Sequence, residues 1–189
     1  MAVIDAICPP KSRAELQAAL PDVLSAPKDN GTLDLIVVRP DRGQRRTPAS
    51  VHLSLAKGVD GDHWSKACWR TLEDGSPHPD VQICLMPSRM IRAIAGDKDN
   101  WAAAGDNLFI DMDLTPLNMP PGTRFAIGSA ELVITEEEHK GCQMFIDRYG
   151  RDACVFVNTG QGDTLKLRGI YARVTRDGDV SAGDTVRKL

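Results

Sequence analysis

Apolar and polar residues alternate in short runs along most of the chain, a pattern typical of β-strands with one buried face. The clearest case is the segment 51–55, in which three aliphatic residues alternate with two polar ones. We predict that strand 51–55 pairs with a strand at 33–38, that residues 128–129 form a hairpin turn, and that Asp177-Gly178 turns a C-terminal hairpin. Further strand-like runs lie at 81–86, 108–110, 124–127, 130–135 and 170–174, with Val180 and Thr185-Val186 beyond the Asp177-Gly178 turn.

Helical spacing is confined to a few short segments. Residues 12–15 have the spacing of a capping box, and the helix that follows is expected to end at Pro21. Further helices are predicted at 88–96 and 142–149, whereas the apolar run 153–157 fits either a strand or a helix. The strands do not alternate regularly with helices, which predicts a mostly β fold, an antiparallel β-barrel with a few short helices.

Length and composition limit the class of protein. The 189 residues fit one compact domain, and 42% hydrophobic with 26% charged residues exclude disordered and coiled-coil classes. The 23 basic residues are outnumbered by 26 acidic ones, so no overall positive field attracts nucleic acid or anionic membranes. We expect a barrel domain over 33–189, with an N-terminal helical extension, 1–32, packed on it.

The cysteines and the lack of long apolar stretches indicate the cellular setting. No run approaches the roughly 18 apolar residues that a membrane span needs, and no secretion signal is evident. The five cysteines are odd in number and form no C-x-x-C pair, which disfavours a disulfide framework and a zinc ribbon. We therefore expect a cytoplasmic protein with free thiols and with neither a membrane nor a nucleic acid as partner.

The commonest catalytic motifs are absent from the sequence. It contains no P-loop, no G-x-S-x-G elbow, no H-E-x-x-H pair and no dinucleotide-binding glycine fingerprint. The loop 58–80 carries Asp60, Asp62, His63 and Cys68, which are metal-ligand types, but their spacing matches no standard zinc pattern. Candidate chemistry therefore rests on scattered cysteines, histidines and arginines.

Cys142 is the candidate reactive residue. It stands near the first turn of a predicted helix, where the helix dipole, Lys140 and a protonatable His139 all favour the thiolate. Three preceding glutamates oppose this effect. The alternative is that Cys142 is a small buried hydrophobic residue and that His139 is an ordinary loop histidine.

Four arginines concentrate positive charge on one strand end and turn. Arg39, Arg42, Arg45 and Arg46 are offset only by Asp41, a local charge of +3 in a chain whose net charge is negative. Guanidinium groups form paired hydrogen bonds with phosphates, so this cluster is a candidate anion site. The alternative is a solvated arginine loop.

Nine short segments, in order and spacing, resemble the MOSC domain, named after the C-terminal part of molybdenum-cofactor sulfurases. The resemblance spans about residues 33–189 and implies a β-barrel, in agreement with the strand pattern. The segments are HLSL at 52–55, GVDGDH at 58–63, GDNL at 105–108, GTR at 122–124, IGSA at 127–130, HKGCQMF at 139–145, RYG at 148–150, RGIYARV at 168–174 and GD at 183–184.

The resemblance implies roles for individual residues. Cys142 matches the family's cysteine that carries sulfur or ligates molybdenum, with His139 as its catalytic neighbour. The implied cofactor is molybdenum cofactor (molybdopterin), and the pyridoxal-phosphate domain of full-length sulfurases is absent from the sequence. The implied cofactor-binding residues are Asn107, Asp62, His63, Arg148 and, from the arginine cluster, Arg45 and Arg46.

Three functions remain open at the level of the sequence. The first is a protein that binds molybdenum cofactor, or carries sulfur, through Cys142. The second is a molybdenum-dependent reductase of N-hydroxylated compounds, and the third is a non-catalytic β-barrel binding module in which Cys142 is structural. A cysteine desulfurase or an electron-transfer protein is the expected partner of the first two.

Overall fold

A computed structural model describes residues 6–189 of the chain. Residues 1–5, the start of the predicted N-terminal extension, lie outside the described residues. In the described part the strands are β1 (Gly31–Ile36), β2 (Ser50–Ser54), β3 (Gly58–Val59), β4 (Ile83–Pro87), β5 (Leu108–Asp111), β6 (Arg124–Ile127), β7 (Ala130–Ile134), β8 (Ile170–Arg176), β9 (Gly178–Ser181) and β10 (Thr185–Lys188). The α-helices are α1 (Arg13–Leu24), α2 (Trp64–Ala67), α3 (Ser88–Ala95), α4 (Gln143–Tyr149), α5 (Arg151–Asn158) and α6 (Gln161–Thr164), with 3₁₀ helices at Pro79–Val81 and Lys98–Ala104.

Seven strands close into a barrel, which confirms the predicted fold. Their order around the barrel is β1–β10–β6–β7–β8–β4–β5, and β5 pairs with β1 to complete the ring. The other three strands form a small sheet in the order β3–β2–β9. The helices hold about as many residues as the strands and lie outside the barrel.

Among the strand pairs of residues 6–189, only β4 and β5 are parallel. Parallel neighbours cannot be joined by a tight hairpin, so the chain crosses over through α3 and the second 3₁₀ helix before it enters β5. This crossover places the loop 105–107 next to the start of β4, and the candidate site forms there.

Two of the predicted strand pairings are wrong. β1 pairs with β10 and β5, whereas β2 pairs with β3 and β9, so the first two predicted strands belong to different sheets. The predicted C-terminal hairpin is also absent from the described strand pairs, because β8 stays in the barrel while β9 joins β2. The strand pattern therefore predicted most of the strands, and the tertiary fold decided their partners.

The first helix is longer than predicted. The capping box between Ser12 and Glu15 is present, but α1 continues through Pro21 to Leu24. Proline removes one backbone hydrogen bond from a helix, and burial of one apolar side of α1 against α3 and α5 compensates for this loss. The run 153–157, which fitted either element, lies in α5.

The core has two apolar layers. One fills the barrel, with inward side chains such as Leu33, Leu85 and Phe125. The other lies between the outer wall of the barrel and the helices, where Met86 and Phe109 project from β4 and β5. No helix in residues 6–189 is both long and apolar enough to cross a bilayer.

Candidate functional site

A cleft of about 1250 Å³ opens on the outer wall of the barrel. Its floor includes Cys84 of β4 and Tyr171 of β8, which are directly paired and both project away from the barrel interior. Three loop regions, near 39–45, 63–70 and 136–148, provide the walls. These regions are far apart in the sequence, and the strand order β1–β5–β4–β8–β7 brings them together.

Most, but not all, of the residues predicted to form a site line the cleft. Those that line it are Cys142, His139, His63, Arg45 and Arg148. Asp62 and Asn107 are buried beneath it, and Arg46 is exposed elsewhere, in an isolated bridge with Val38. The structure thus separates Arg45 from Arg46, which were adjacent candidates in the sequence.

Cys142 is exposed in the cleft and is the residue that precedes the first turn of α4. All five cysteines are free thiols, and two of them, Cys84 and Cys154, are buried. Lys140, which was expected to support the thiolate, is instead engaged by the carboxylates of Asp163 and Glu138. The exposure of Cys142 leaves its thiol accessible to a ligand in the cleft.

His139 is buried and uncharged at neutral pH. Burial lowers its pKa to about 3, and the positive charge of Arg168 acts in the same direction. Its ring packs against Tyr171 with the ring centres 4.5 Å apart, and its Nδ1 lies 3.5 Å from a carboxylate oxygen of Asp106. A neutral His139 provides no positive charge for Cys142, contrary to the expectation from the sequence.

The buried neutral state of His139 predicts acid-sensitive stability. The histidine takes up a proton near pH 6.5 when unfolded and near pH 3 when folded, so the unfolded state binds more protons between these values. The contribution of neutral His139 to the free energy of unfolding is fully present above pH 6.5. It falls by about 1.4 kcal/mol for each pH unit below that value. The free energy of unfolding, measured in urea, should fall by about 2 kcal/mol less in His139→Gln than in the wild type when the pH is lowered from about 6.5 to 5.

The control for this prediction is His52→Gln, which changes a half-exposed histidine paired with Asp179. The free energy of unfolding of His52→Gln should decrease on acidification as it does in the wild type. Equal slopes for His139→Gln and wild type would show that His139 does not remain neutral in the fold.

Asp62 and Asn107 form a scaffold for Arg39. The Asp62 carboxylate accepts two hydrogen bonds from the Arg39 guanidinium, at 2.8 and 2.9 Å, and one from Asn107 Nδ2 at 3.0 Å. Burial alone would raise the pKa of Asp62, but the hydrogen bonds and charge of Arg39 hold it below its usual value. Asp62 and Asn107 were predicted to bind the cofactor. In the structure they lie behind Arg39, and Arg39 lines the cleft.

Arg45 and Arg148 form an uncompensated pair of cations. A Cβ atom built on Gly105 would lie 3.2 Å from Arg45 Nη2 and 4.0 Å from Arg148 Nη1, so both guanidinium groups lie over this glycine. Within the described chain their hydrogen bonds go to backbone carbonyls, not to carboxylates. Burial lowers the pKa of Arg45, and the nearby charges of Arg148 and Arg39 lower it further. An anion between these arginines would relieve their repulsion.

Basic side chains outnumber acidic ones in the lining of the cleft. Seven arginine and lysine side chains line the cleft, against four aspartate and glutamate side chains. Three of these cations, Arg39, Arg168 and Lys140, are paired with carboxylates that lie outside the lining. The positive charge without an ion-pair partner therefore includes Arg45 and Arg148, and it favours an anionic ligand there.

A buried ion pair that sequence reasoning missed supports the cleft floor. Arg168 Nη1 lies 2.9 Å from both carboxylate oxygens of Asp106, and both residues are buried. The Arg168 guanidinium also lies 4.8 Å from the centre of the Phe145 ring. The only signal in the sequence was that both residues fall within family-like segments, since no spacing rule joins positions so far apart.

Unmet hydrogen-bonding capacity is concentrated at the cleft. Five buried side-chain polar atoms lack a partner within residues 6–189, and four belong to residues of the lining. These four atoms are Arg45 Nε, Trp64 Nε1, His139 Nδ1 and Arg168 Nε. Buried donors without partners are rare in folded proteins, and their clustering is typical of a site that receives a polar ligand or ordered water.

Comparison with known proteins places the chain in a family. The family model of the MOSC domain matches residues 73–187. Among solved structures, the YuaD protein from Bacillus subtilis is similar, with 15% identity and a TM-score of 0.56 over 82% of this chain and 93% of that chain. YiiM from Escherichia coli shows 20% identity and a TM-score of 0.53 over 84% of this chain and 69% of that chain. No curated protein matches the chain.

The family model covers more than half of the sequence, so this protein belongs to the MOSC domain family. The family is associated with molybdenum cofactor. The solved structures share the fold at low sequence identity, and this likeness establishes the barrel architecture alone.

Proposed function

We propose that the protein binds molybdenum cofactor in the cleft, with Cys142 as the protein ligand of the metal and Arg45 and Arg148 around the cofactor's phosphate. One observation carries this proposal: an exposed thiol and an uncompensated pair of arginines line the same cleft. A thiolate is a soft ligand that suits soft metals, and paired guanidinium groups suit a phosphate.

The donor set of the cleft fits such a cofactor. Molybdopterin combines a phosphate with a flat, polar ring system, and the cleft offers positive charge together with unmet donors on Arg45, Trp64 and Arg168. The volume of about 1250 Å³ is ample for a ligand of that size. Small-molecule sites commonly have this form, a preformed cleft with a few placed polar groups.

The metal would have a single protein ligand. Among the described residues, no three His, Cys, Asp or Glu side chains are grouped so that they would hold a metal ion on their own. A metal in this cleft would therefore bring most of its ligands with it, as the metal of an organic cofactor does. When bound, the cofactor would supply a redox-active metal, while the chain's residues would bind and orient it.

The same thiol supports sulfur carriage as the second form of the proposal. Its exposure in an open cleft allows the Cys142 thiolate to attack the outer sulfur of a donor persulfide. The donor's sulfur–sulfur bond would break, the donor would leave as a thiol, and Cys142 would hold the transferred sulfur without any added oxidant. A cysteine desulfurase would be the donor, whereas a redox role would require a separate electron-transfer protein.

Metal, pterin and mass analysis of the protein purified from a host that makes molybdenum cofactor tests these forms. Molybdenum with pterin at about one equivalent supports cofactor binding. A mass increase of one sulfur atom on Cys142 without molybdenum supports sulfur carriage. Protein that carries neither would contradict both forms and favour a binding module with a structural cysteine.

The arginine pair gives a matched mutational prediction. Arg45→Ala and Arg148→Ala should each lower cofactor retention about tenfold or more, since a charge-assisted hydrogen bond contributes roughly 1.5–3 kcal/mol. Arg46→Ala is the control, because Arg46 is a neighbour in sequence that does not line the cleft. Retention is measured as molybdenum and pterin per protein after gel filtration.

Equal retention in all three variants would show that Arg45 and Arg148 do not bind the cofactor. A loss that appears equally in Arg46→Ala would assign the effect to the overall charge of the segment rather than to the cleft.

A further inference from the structure

We infer that Asn158 is the positioning residue of Cys142, holding the backbone just before the thiol so that the sulfur stays fixed in the cleft. Asn158 is the last residue of α5 and lies outside the cleft lining. It is a half-buried polar residue that neither the sequence pattern nor the family-like segments singled out. The inference rests on the proposed function only in taking Cys142 as the functional thiol.

The Asn158 side chain satisfies both backbone groups of Gly141. Gly141 N–H donates to Asn158 Oδ1 at 2.8 Å, and Asn158 Nδ2 donates to the Gly141 carbonyl at 2.9 Å. Two opposed hydrogen bonds to one residue fix the orientation of its peptide groups, much as a paired strand would. Because Gly141 directly precedes Cys142, they also fix where the Cys142 backbone begins.

The clamp crowds position 141. A Cβ atom at this position would lie 3.0 Å from Cys154 Sγ and 3.3 Å from Asn158 Nδ2. Both distances are tighter than ordinary van der Waals contact, so the side chains of Cys154 and Asn158 would have to shift by a few tenths of an ångström to admit an alanine. A larger residue at position 141 would therefore disturb the hydrogen bonds of Asn158.

Asn158 is itself held by a rigid support. Its Nδ2 also lies 3.4 Å from the sulfur of Cys154, one turn earlier in α5. Cys154, Ala153 and Val157 of the same helix are buried in the outer apolar layer, which anchors α5 to the barrel. On the other side, Cys142 is continued by α4, whose first backbone bonds run from Phe145 and Ile146 to the Cys142 carbonyl. The Cys142 backbone is thus held from both chain directions.

The test measures the reactivity of Cys142 in the absence of any cofactor. Alkylation by iodoacetamide is followed by peptide mass spectrometry across a range of pH in the wild type and the variants. Asn158→Ala should raise the limiting rate at high pH at least threefold, because the backbone before the thiol gains freedom. Asn158→Asp keeps the size of the side chain but loses the amide donor. It also adds a negative charge near Cys142, so the pH midpoint of Cys142 alkylation should shift upward.

Two variants provide the comparison. Thr159→Ala changes the adjacent residue, whose hydroxyl bonds within α5 to the Val155 carbonyl, and it should leave the alkylation profile unchanged. Gly141→Ala should change the profile in the same direction as Asn158→Ala, because the added Cβ crowds Asn158 Nδ2 and disturbs its hydrogen bond to the backbone. If Asn158→Ala does not fold, the isosteric Asn158→Asp and Gly141→Ala decide the question.

The outcomes separate this inference from the proposed function. Wild-type alkylation profiles in the Asn158 variants, with or without a lower melting temperature, would overturn the positioning role. A changed profile together with at least fivefold weaker retention of molybdenum or sulfur supports the clamp and its function. If Cys142→Ser loads as the wild type does, the proposed function fails, while the alkylation profiles still decide whether Asn158 positions the thiol.

Discussion

Replacement of Cys142 by serine is expected to abolish molybdenum and persulfide loading while the barrel stays folded. The hydroxyl is nearly isosteric with the thiol but is a hard ligand and cannot hold a transferred sulfur atom. The residue is exposed at the start of α4, so the change removes no core packing, and stability should change by less than about 0.5 kcal/mol. Metal, pterin and intact-mass analysis measures loading, and urea unfolding measures stability.

Cys68→Ser is the matched control for this experiment. Cys68 is a partly exposed thiol that also lines the cleft, so the variant removes a neighbouring sulfur without touching Cys142. It should load as the wild type does. Loading that survives in Cys142→Ser, or unfolding of that variant, would assign Cys142 a structural role.

Removal of the Asp106 carboxylate is expected to have the largest effect on stability. Asp106→Ala leaves the buried Arg168 cation without its counterion, and breaking a buried ion pair in this way costs about 3–5 kcal/mol. Asp106→Asn should cost less than Asp106→Ala, because its amide oxygen still accepts a hydrogen bond from Arg168. The free energy of unfolding in urea measures both effects.

An exposed ion pair provides the comparison. Asp22 and Arg92 lie 2.8 Å apart with both side chains more than half exposed, so Asp22→Asn should cost less than about 1 kcal/mol. An Asp106→Ala variant as stable as this control would mean that water reaches Arg168 in the variant and replaces the lost carboxylate.

Individual strands, turns and helix starts could be predicted because their signals are local. Alternation along β2, the turn between β6 and β7 and the capping box of α1 each depend on a few neighbouring residues, and each agrees with the structure. The pairing of β2 with β9 could not be read in the same way, since their pairing partners are more than a hundred residues apart. Pairing across such a distance depends on the tertiary fold as a whole, which no local window contains.

Candidate chemistry was predictable by residue type but not by role. Arg45 and Arg46 are indistinguishable as sequence neighbours, yet only Arg45 lines the cleft. Asp62 was predicted to bind a cofactor, and in the fold its buried carboxylate accepts hydrogen bonds from Arg39. His139 was expected to be protonatable, and its burial keeps it neutral. In each case, the position and burial of the side chain in the tertiary structure decided its contacts.

The sequence by itself determined most of the strands, three of the helices, the family-like order of the short motifs and Cys142 as the candidate thiol. Only the tertiary structure decided that Cys142, Arg45 and Arg148 share one cleft and that Asn158 clamps the backbone at Gly141. The physical reason is that element type follows from short-range periodicity and capping, whereas a site depends on distances, burial and unmet charge. Those quantities exist only once the closed barrel has brought remote loops onto one face.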